Sequence, residues 1–126
     1  MSIELGGVLL FVKDFEKMTA FYRDIVGLPG LPTQYPGEYQ SFDTGSAKLS
    51  LHKLPDPYAA ETVIEDPPIP RDQVPAKFIF RVSDVQAQME RFQAQGVTTR
   101  KISRFDDFVL CDVVDPEGNV FQLSNR

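Results

Sequence analysis

The strongest constraint on this chain is an internal repeat at a constant offset of seventy residues. Val12 corresponds to Val82, Asp14 to Asp84 and Tyr22 to Phe92. A repeated supersecondary unit limits the fold before any local reading does. In the first copy, Gly7-Val-Leu-Leu-Phe-Val12 is an apolar run of strand formers. Behind Lys13-Asp14 follow Phe15, Met18, Phe21, Tyr22 and Ile25, spaced near three and four. That spacing predicts a helix with one apolar face. Asp14 stands where a carboxylate can cap orphan backbone N–H groups, and Gly27 with Pro29 ends the helix. In the second copy, Lys77 to Val82 predicts a strand. Val85, Met89 and Phe92 predict the helical stripe, and Gly96 its stop.

Each helix is followed by hairpin signals. Tyr39-Gln-Ser-Phe42 leads through Asp43-Thr-Gly-Ser46 into a strand from Ala47 to Lys53. Phe108 to Val114 leads through Asp115-Pro-Glu-Gly-Asn119 into a strand from Val120 to Ser124. Asp, Gly and small polar residues supply the dihedrals of such tight turns. A further short strand is expected near Gly30–Gln34 and near Thr98–Ile102, so each half reads βαβββ. The predicted organisation is one α+β domain over 1–126. Its parts are a first module 1–53, a connector 54–75 and a second module 76–126. The connector holds six of the ten prolines. That density argues against a regular helix or central strand there, leaving a plain tether or a lid.

Composition narrows the function classes. Apolar residues make up 42% and charged residues 25%, enough for a packed core. No apolar run approaches the roughly 20 residues of a membrane helix, and no secretory leader is legible at the N-terminus. The single Cys111 excludes an internal disulfide and suits a reducing cytoplasm, the expected location. A formal charge of −5 offers no basic footprint for nucleic acid. The glycines lack phosphate-loop spacing and the connector acids lack a calcium-loop pattern.

Three features together resemble the vicinal oxygen chelate superfamily, which includes glyoxalase I, bleomycin-resistance proteins and extradiol dioxygenases. They are Val8-Leu-Leu-Phe-Val-Lys-Asp14 running into Ala20-Phe-Tyr-Arg-Asp-Ile-Val-Gly-Leu28, Asp115-Pro-Glu-Gly-Asn119 before a last strand, and the repeated halves. The resemblance implies two βαβββ modules whose curved mixed sheets surround a small-molecule cup, with helices outside. It also implies a homodimer. Metal-dependent members place His or Glu at four cup-facing strand positions, which by this resemblance are Gly7, Ser50, Lys77 and Gln122. Glycine has no ligand atom, an ammonium repels a cation, and a hydroxyl and a neutral amide are weak ligands for zinc, iron or nickel. No metal and no other cofactor is therefore expected.

With Gly7 and Ser50 facing the cup, strand alternation adds Leu9, Phe11, Lys48 and His52 from the first half. Val8, Leu10, Val12, Leu49 and Leu51 are left for the core. The second half contributes Lys77, Ile79, Arg81, Val120, Gln122 and Ser124, with Phe78, Phe80, Val82, Phe121 and Leu123 packed inward. Asp112 would be costly against a helix layer. It is therefore placed on the cup side with Phe108, Leu110 and Val114, leaving Val109, Cys111 and Val113 in the core. The expected ligand-binding set is Phe11, Lys48, Ser50, His52, Lys77, Arg81, Phe108, Asp112 and Gln122. It suits a small ligand with an apolar body and an anionic or neutral polar group, Arg81 being the best fork for a carboxylate. The cations could instead snorkel to the rim. The leading reading is a metal-independent small-molecule binding protein. The alternative is a lyase or isomerase using His52, Lys77 and Asp112 as acid–base groups.

Overall fold

The computed structural model describes residues 2–126. The chain divides into two compact units, one ending at Val63 and the other running from Ile64 to Arg126. The first unit contains β1 (Gly7–Val12), α1 (Phe15–Ala20), β2 (Tyr39–Asp43), β3 (Lys48–Lys53) and α2 (Asp56–Glu61). Its sheet has the order β1-β3-β2, with β1 parallel and β2 antiparallel to β3. A parallel pair needs a crossover, and α1 supplies it. The Asp14 carboxylate accepts from Lys17 N at 3.1 Å, so the expected cap forms. Past Ala20 the helix widens into a π-helical segment, Phe21–Val26, closed by Gly27 at φ 87°. Val12, Phe15, Met18, Phe21, Tyr22, Phe42, Leu49 and Leu51 are buried and make the core of this unit.

Three expectations for this unit need correction. The segment near Gly30–Gln34 is no strand: Gly30 alone bridges Phe42. Pro29 and Pro32 lack N–H donors on either side of it, so a ladder cannot extend. The proline-rich stretch does carry a helix, α2. Pro55 stands at its N-cap and Pro57 in its first turn, where the missing N–H is not needed. Lys13 Nζ donates to the Thr62 carbonyl at its far end. Val8 is 37% exposed rather than packed under the helix, because β1 is an edge strand.

The second unit contains β4 (Ile79–Arg81), α3 (Val85–Ala94), β5 (Ser103–Arg104), β6 (Val109–Val114) and β7 (Val120–Ser124). The sheet order is β4-β7-β6-β5, with β4 parallel to β7 and the other pairs antiparallel. Asp84 repeats the cap of Asp14, accepting from Ala87 N at 3.0 Å. Val85, Met89, Phe92, Cys111, Val113, Phe121 and Leu123 form the core, and Phe78 stacks on Phe121 at 5.5 Å. The extra strand falls at 103–104, with Thr99 contributing one bridge to Val113. Val114, Val120 and Ser124, expected on an open face, are buried. Val114 and Val120 sit opposite each other at the hairpin base, where Val114 N bonds to the Thr98 carbonyl. Ser124 lies on β7, covered between β4 and β6.

The turn between β6 and β7 is tightly built. Asp115 is fully buried, and its carboxylate accepts from Glu117 N, Asn119 N and Asn119 Nδ2, each at 2.9 Å. Gly118 adopts φ +87°, and a Cβ there would stand 2.3 Å from the Ile69 carbonyl oxygen. The approach is close because Arg71 N donates to the Gly118 carbonyl at 2.8 Å. Asp115-Pro-Glu-Gly-Asn119 is thus a structural clasp for the chain entering this unit. Among the described residues, no helix is long and apolar enough to cross a membrane.

Candidate functional site

In the first unit, one sheet face packs on α1 and the other is open. Strand alternation sends Leu49, Leu51 and Phe42 to the core. Tyr39, Ser41, Lys48, Ser50 and His52 take the opposite face, with Leu9 and Phe11 of β1. Register brings Tyr39 opposite His52, Ser41 opposite Ser50, and Leu9 and Phe11 beside Ser50 and His52. A concavity of 260 Å³ lies here, lined by the β1 stretch Gly6–Leu9 with Tyr39, Lys48 and Ser50. Its lining carries one cation and no carboxylate.

Three hydroxyls close a ring at its floor. Tyr39 Oη donates to Ser50 Oγ at 3.1 Å, Ser41 Oγ donates to Tyr39 Oη at 3.1 Å, and the two serine oxygens lie 2.8 Å apart. Both serines are buried. The Ser41 hydroxyl, then that of Ser50, holds the Tyr39 phenol below the ordinary tyrosine value, with the Lys48 charge adding a smaller contribution. His52 lies beside Tyr39 and Phe11, at ring-centroid distances of 6.1 and 5.7 Å. Its Nδ1 meets the Lys53 carbonyl at 2.8 Å. A carbonyl only accepts, so Nδ1 is the donor in this bond. Of the expected residues, the structure thus groups Phe11, Lys48, Ser50 and His52 on one face. Sequence reasoning missed Tyr39 and Ser41. Their alternation with buried Phe42 in Tyr39-Gln-Ser-Phe42 was the available signal.

In the second unit, Lys77 Nζ binds Asp112 Oδ2 at 2.7 Å. Arg100 Nη1 stands 4.0 Å from the same oxygen while its guanidinium grips the Asp72 carboxylate through both nitrogens. The Asp72 side chain holds Arg100 above, and Arg100 holds Asp72 below, its ordinary ionisation range. Gln122 sits opposite Asp112. Gln122 Oε1 and Asp112 Oδ1 are both enclosed and without a hydrogen-bond partner. Lys77, Asp112 and Gln122 are therefore together, but the Lys77 ammonium is already spent on Asp112. Arg81 is exposed at the edge strand β4. Phe108 is stacked on Phe105 at 4.6 Å and capped by the Arg126 guanidinium at 3.8 Å, so its ring faces are engaged. The charged partners Asp72 and Arg100 escaped sequence reasoning because they are 28 residues apart with no periodic relation.

The four positions that the resemblance assigns to metal ligands, Gly7, Ser50, Lys77 and Gln122, carry groups that do not fit a transition metal. Position 7 lacks a side chain, and a Cβ there would stand 2.5 Å from the Lys48 carbonyl oxygen. Ser50 Oγ is committed to the hydroxyl ring, and Lys77 to Asp112. Only Gln122 Oε1 is an idle acceptor, and a neutral amide is a poor ligand. Among the described residues, no three His, Cys, Asp or Glu side chains come together.

This fold matches a known family. Residues 4–123 match the model of the Glyoxalase/Bleomycin resistance protein/Dioxygenase superfamily, and the chain belongs to that superfamily. The uncharacterized protein YraH of Bacillus subtilis (strain 168) is 34% identical over 97 residues, covering 75% of this chain and 74% of YraH. A lactoylglutathione lyase from Agrobacterium tumefaciens is 25% identical, with a TM-score of 0.69 over 95% of this chain and 91% of its own. TnmS3, an antibiotic binding protein from Streptomyces sp. CB03234, is similar in fold, with a TM-score of 0.68. It is 23% identical over 98% of this chain and 96% of its own.

Proposed function

We propose that this protein is a metal-independent binding protein for a small molecule that joins an apolar body to an anionic or neutral polar group. The concavity on the first unit carries this reading. It sets the Leu9 side chain beside the Tyr39 and Ser50 hydroxyls and Lys48, an apolar contact with a few convergent polar groups. Metal independence is supported by the donor chemistry at Gly7, Ser50, Lys77 and Gln122. The shared fold is compatible with binding, since TnmS3 is an antibiotic binding protein, although a fold alone does not fix a function. We further infer a cytoplasmic homodimer, on the family resemblance and on the lone buried Cys111. Native mass spectrometry of the protein as purified, without chelators, tests these points together. A dimer carrying a retained organic mass and no metal is the expected spectrum. A stoichiometric metal ion would overturn the metal-independent reading.

A second reading, an acid–base lyase or isomerase, draws on two observations. Tyr39 is more acidic than an ordinary tyrosine and lies beside His52. The similarity to a lactoylglutathione lyase points the same way. For this reading His52, with Tyr39, is the acid–base candidate, because Lys77 and Asp112 neutralise each other. Turnover of a retained ligand by the wild type but not by His52→Ala would favour it over binding alone.

A further inference from the structure

We propose that Tyr39, Ser50 and Lys48 form an oxyanion subsite within the first unit's concavity, with Ser41 as a positioning residue behind it. The proposal rests on the binding reading above and names the chemistry of the ligand's polar end. Tyr39 and Ser50 line the concavity, and Ser41, buried like Ser50 but outside the lining, meets both of their oxygens. In the free site each hydroxyl donates to a neighbour, so no donor is left unmade. An arriving oxyanion lets the Tyr39 and Ser50 O–H groups turn outward to it. Ser41 continues to donate to Tyr39 Oη, and that chain of bonds polarises the phenol toward the ligand.

Charge selects the sign of the ligand. Lys48 lines the concavity; Asp43 stands opposite it in the β2–β3 register but accepts from Gly45 N at 2.8 Å, and among the described residues Lys48 makes no ion pair. An ammonium and two hydroxyl donors, with no acid in the lining, favour a negative oxygen and disfavour a cation. The heightened acidity of the phenol makes it a stronger donor to such an oxygen. Leu9 beside Ser50, with Phe11 two residues on along the same face, would hold the ligand's body. The shared chemistry is a carboxylate or phosphoryl oxygen on an apolar group.

Titration of the full-length protein with benzoate, phenyl phosphate and benzylamine, followed by amide NMR shifts and calorimetry, tests the subsite. The expected result is saturable binding of one or both anions, with shifts at Gly7, Tyr39 and Ser50, and at least tenfold weaker binding of benzylamine. Preference between the two anions tells a carboxylate ligand from a phosphoryl one. Tyr39→Phe should weaken anion binding at least tenfold. Lys48→Met should weaken it and flatten its salt dependence, while Ser41→Ala should weaken it only a few-fold. Circular dichroism establishes that each variant is folded, and Lys48→Met, at an exposed position, serves if a core variant is not. Binding of all three probes alike, indifferent to Tyr39→Phe and Lys48→Met, would sink the subsite and leave the binding reading standing. Absence of binding by any probe in this concavity would overturn both.

Discussion

Single residues decide more here than their size suggests. Gly7 is one of the four positions that the family resemblance assigns to metal ligands, and the reason for glycine is local. The β1 and β3 backbones approach so closely that a Cβ would meet the Lys48 carbonyl oxygen at 2.5 Å. A backbone atom in a paired strand cannot move aside cheaply. Gly7→Ala is expected to destabilise the protein by about 1–3 kcal/mol, as overpacking does, seen as a lower urea midpoint at unchanged slope. Cys111 shows the opposite case, a reactive group made inert. Burial pushes its thiol up, the Asp112 charge adds to the shift, and the thiol donates to the Arg100 carbonyl at 3.2 Å. A raised value means the thiolate is scarce at neutral pH and grows only above the ordinary thiol range. An aromatic disulfide reagent at pH 7 should therefore react slowly with the folded protein and rapidly once it is denatured. Fast reaction in the folded state would contradict this placement.

At the scale of elements, the two halves repeat one local device. A strand ends, an aspartate caps the helix that follows, and a glycine with positive φ closes it: Asp14 with Gly27, then Asp84 with Gly96. Each cap bond satisfies one orphan donor. Asp14→Ala and Asp84→Ala should each cost about 1 kcal/mol. Their cap bonds come from different donors, Lys17 N and Ala87 N, so the double variant should lose close to the sum, measured by chemical denaturation. A markedly larger loss would mean the caps are coupled. The elements also show where pattern reading stops. The β1 run and the stripe of α1 were legible because periodicity is local. The helix at Asp56–Glu61 was not, since prolines that forbid a helix interior are tolerated in its first turn. The strand expected near Gly30 failed for the complementary reason: Pro29 and Pro32 interrupt its row of donors, leaving Leu31 N on the Ser41 carbonyl and a single bridge.

For the whole molecule, charge is the property most directly read. A net charge of −5 and an isoelectric point near 4.8 predict retention on an anion exchanger at pH 7. They also predict passage through a heparin column at low salt. Heparin retention would point to a basic patch that the bulk charge conceals. The sequence by itself determined the repeat, the strand–helix alternation, the two caps and the superfamily. Each is written in short-range period or in a fixed offset along the chain. It also placed Lys48, Ser50 and His52 on one strand face, because alternation is a property of any strand. The tertiary structure alone decided how those faces are completed. Register between β2 and β3 set Ser41 opposite Ser50 and brought Tyr39 into a ring with both. Long-range packing drew Lys77 onto Asp112 and Asp72 onto Arg100. Side-chain periodicity fixes which way a residue points, but only pairing across the chain fixes what it meets.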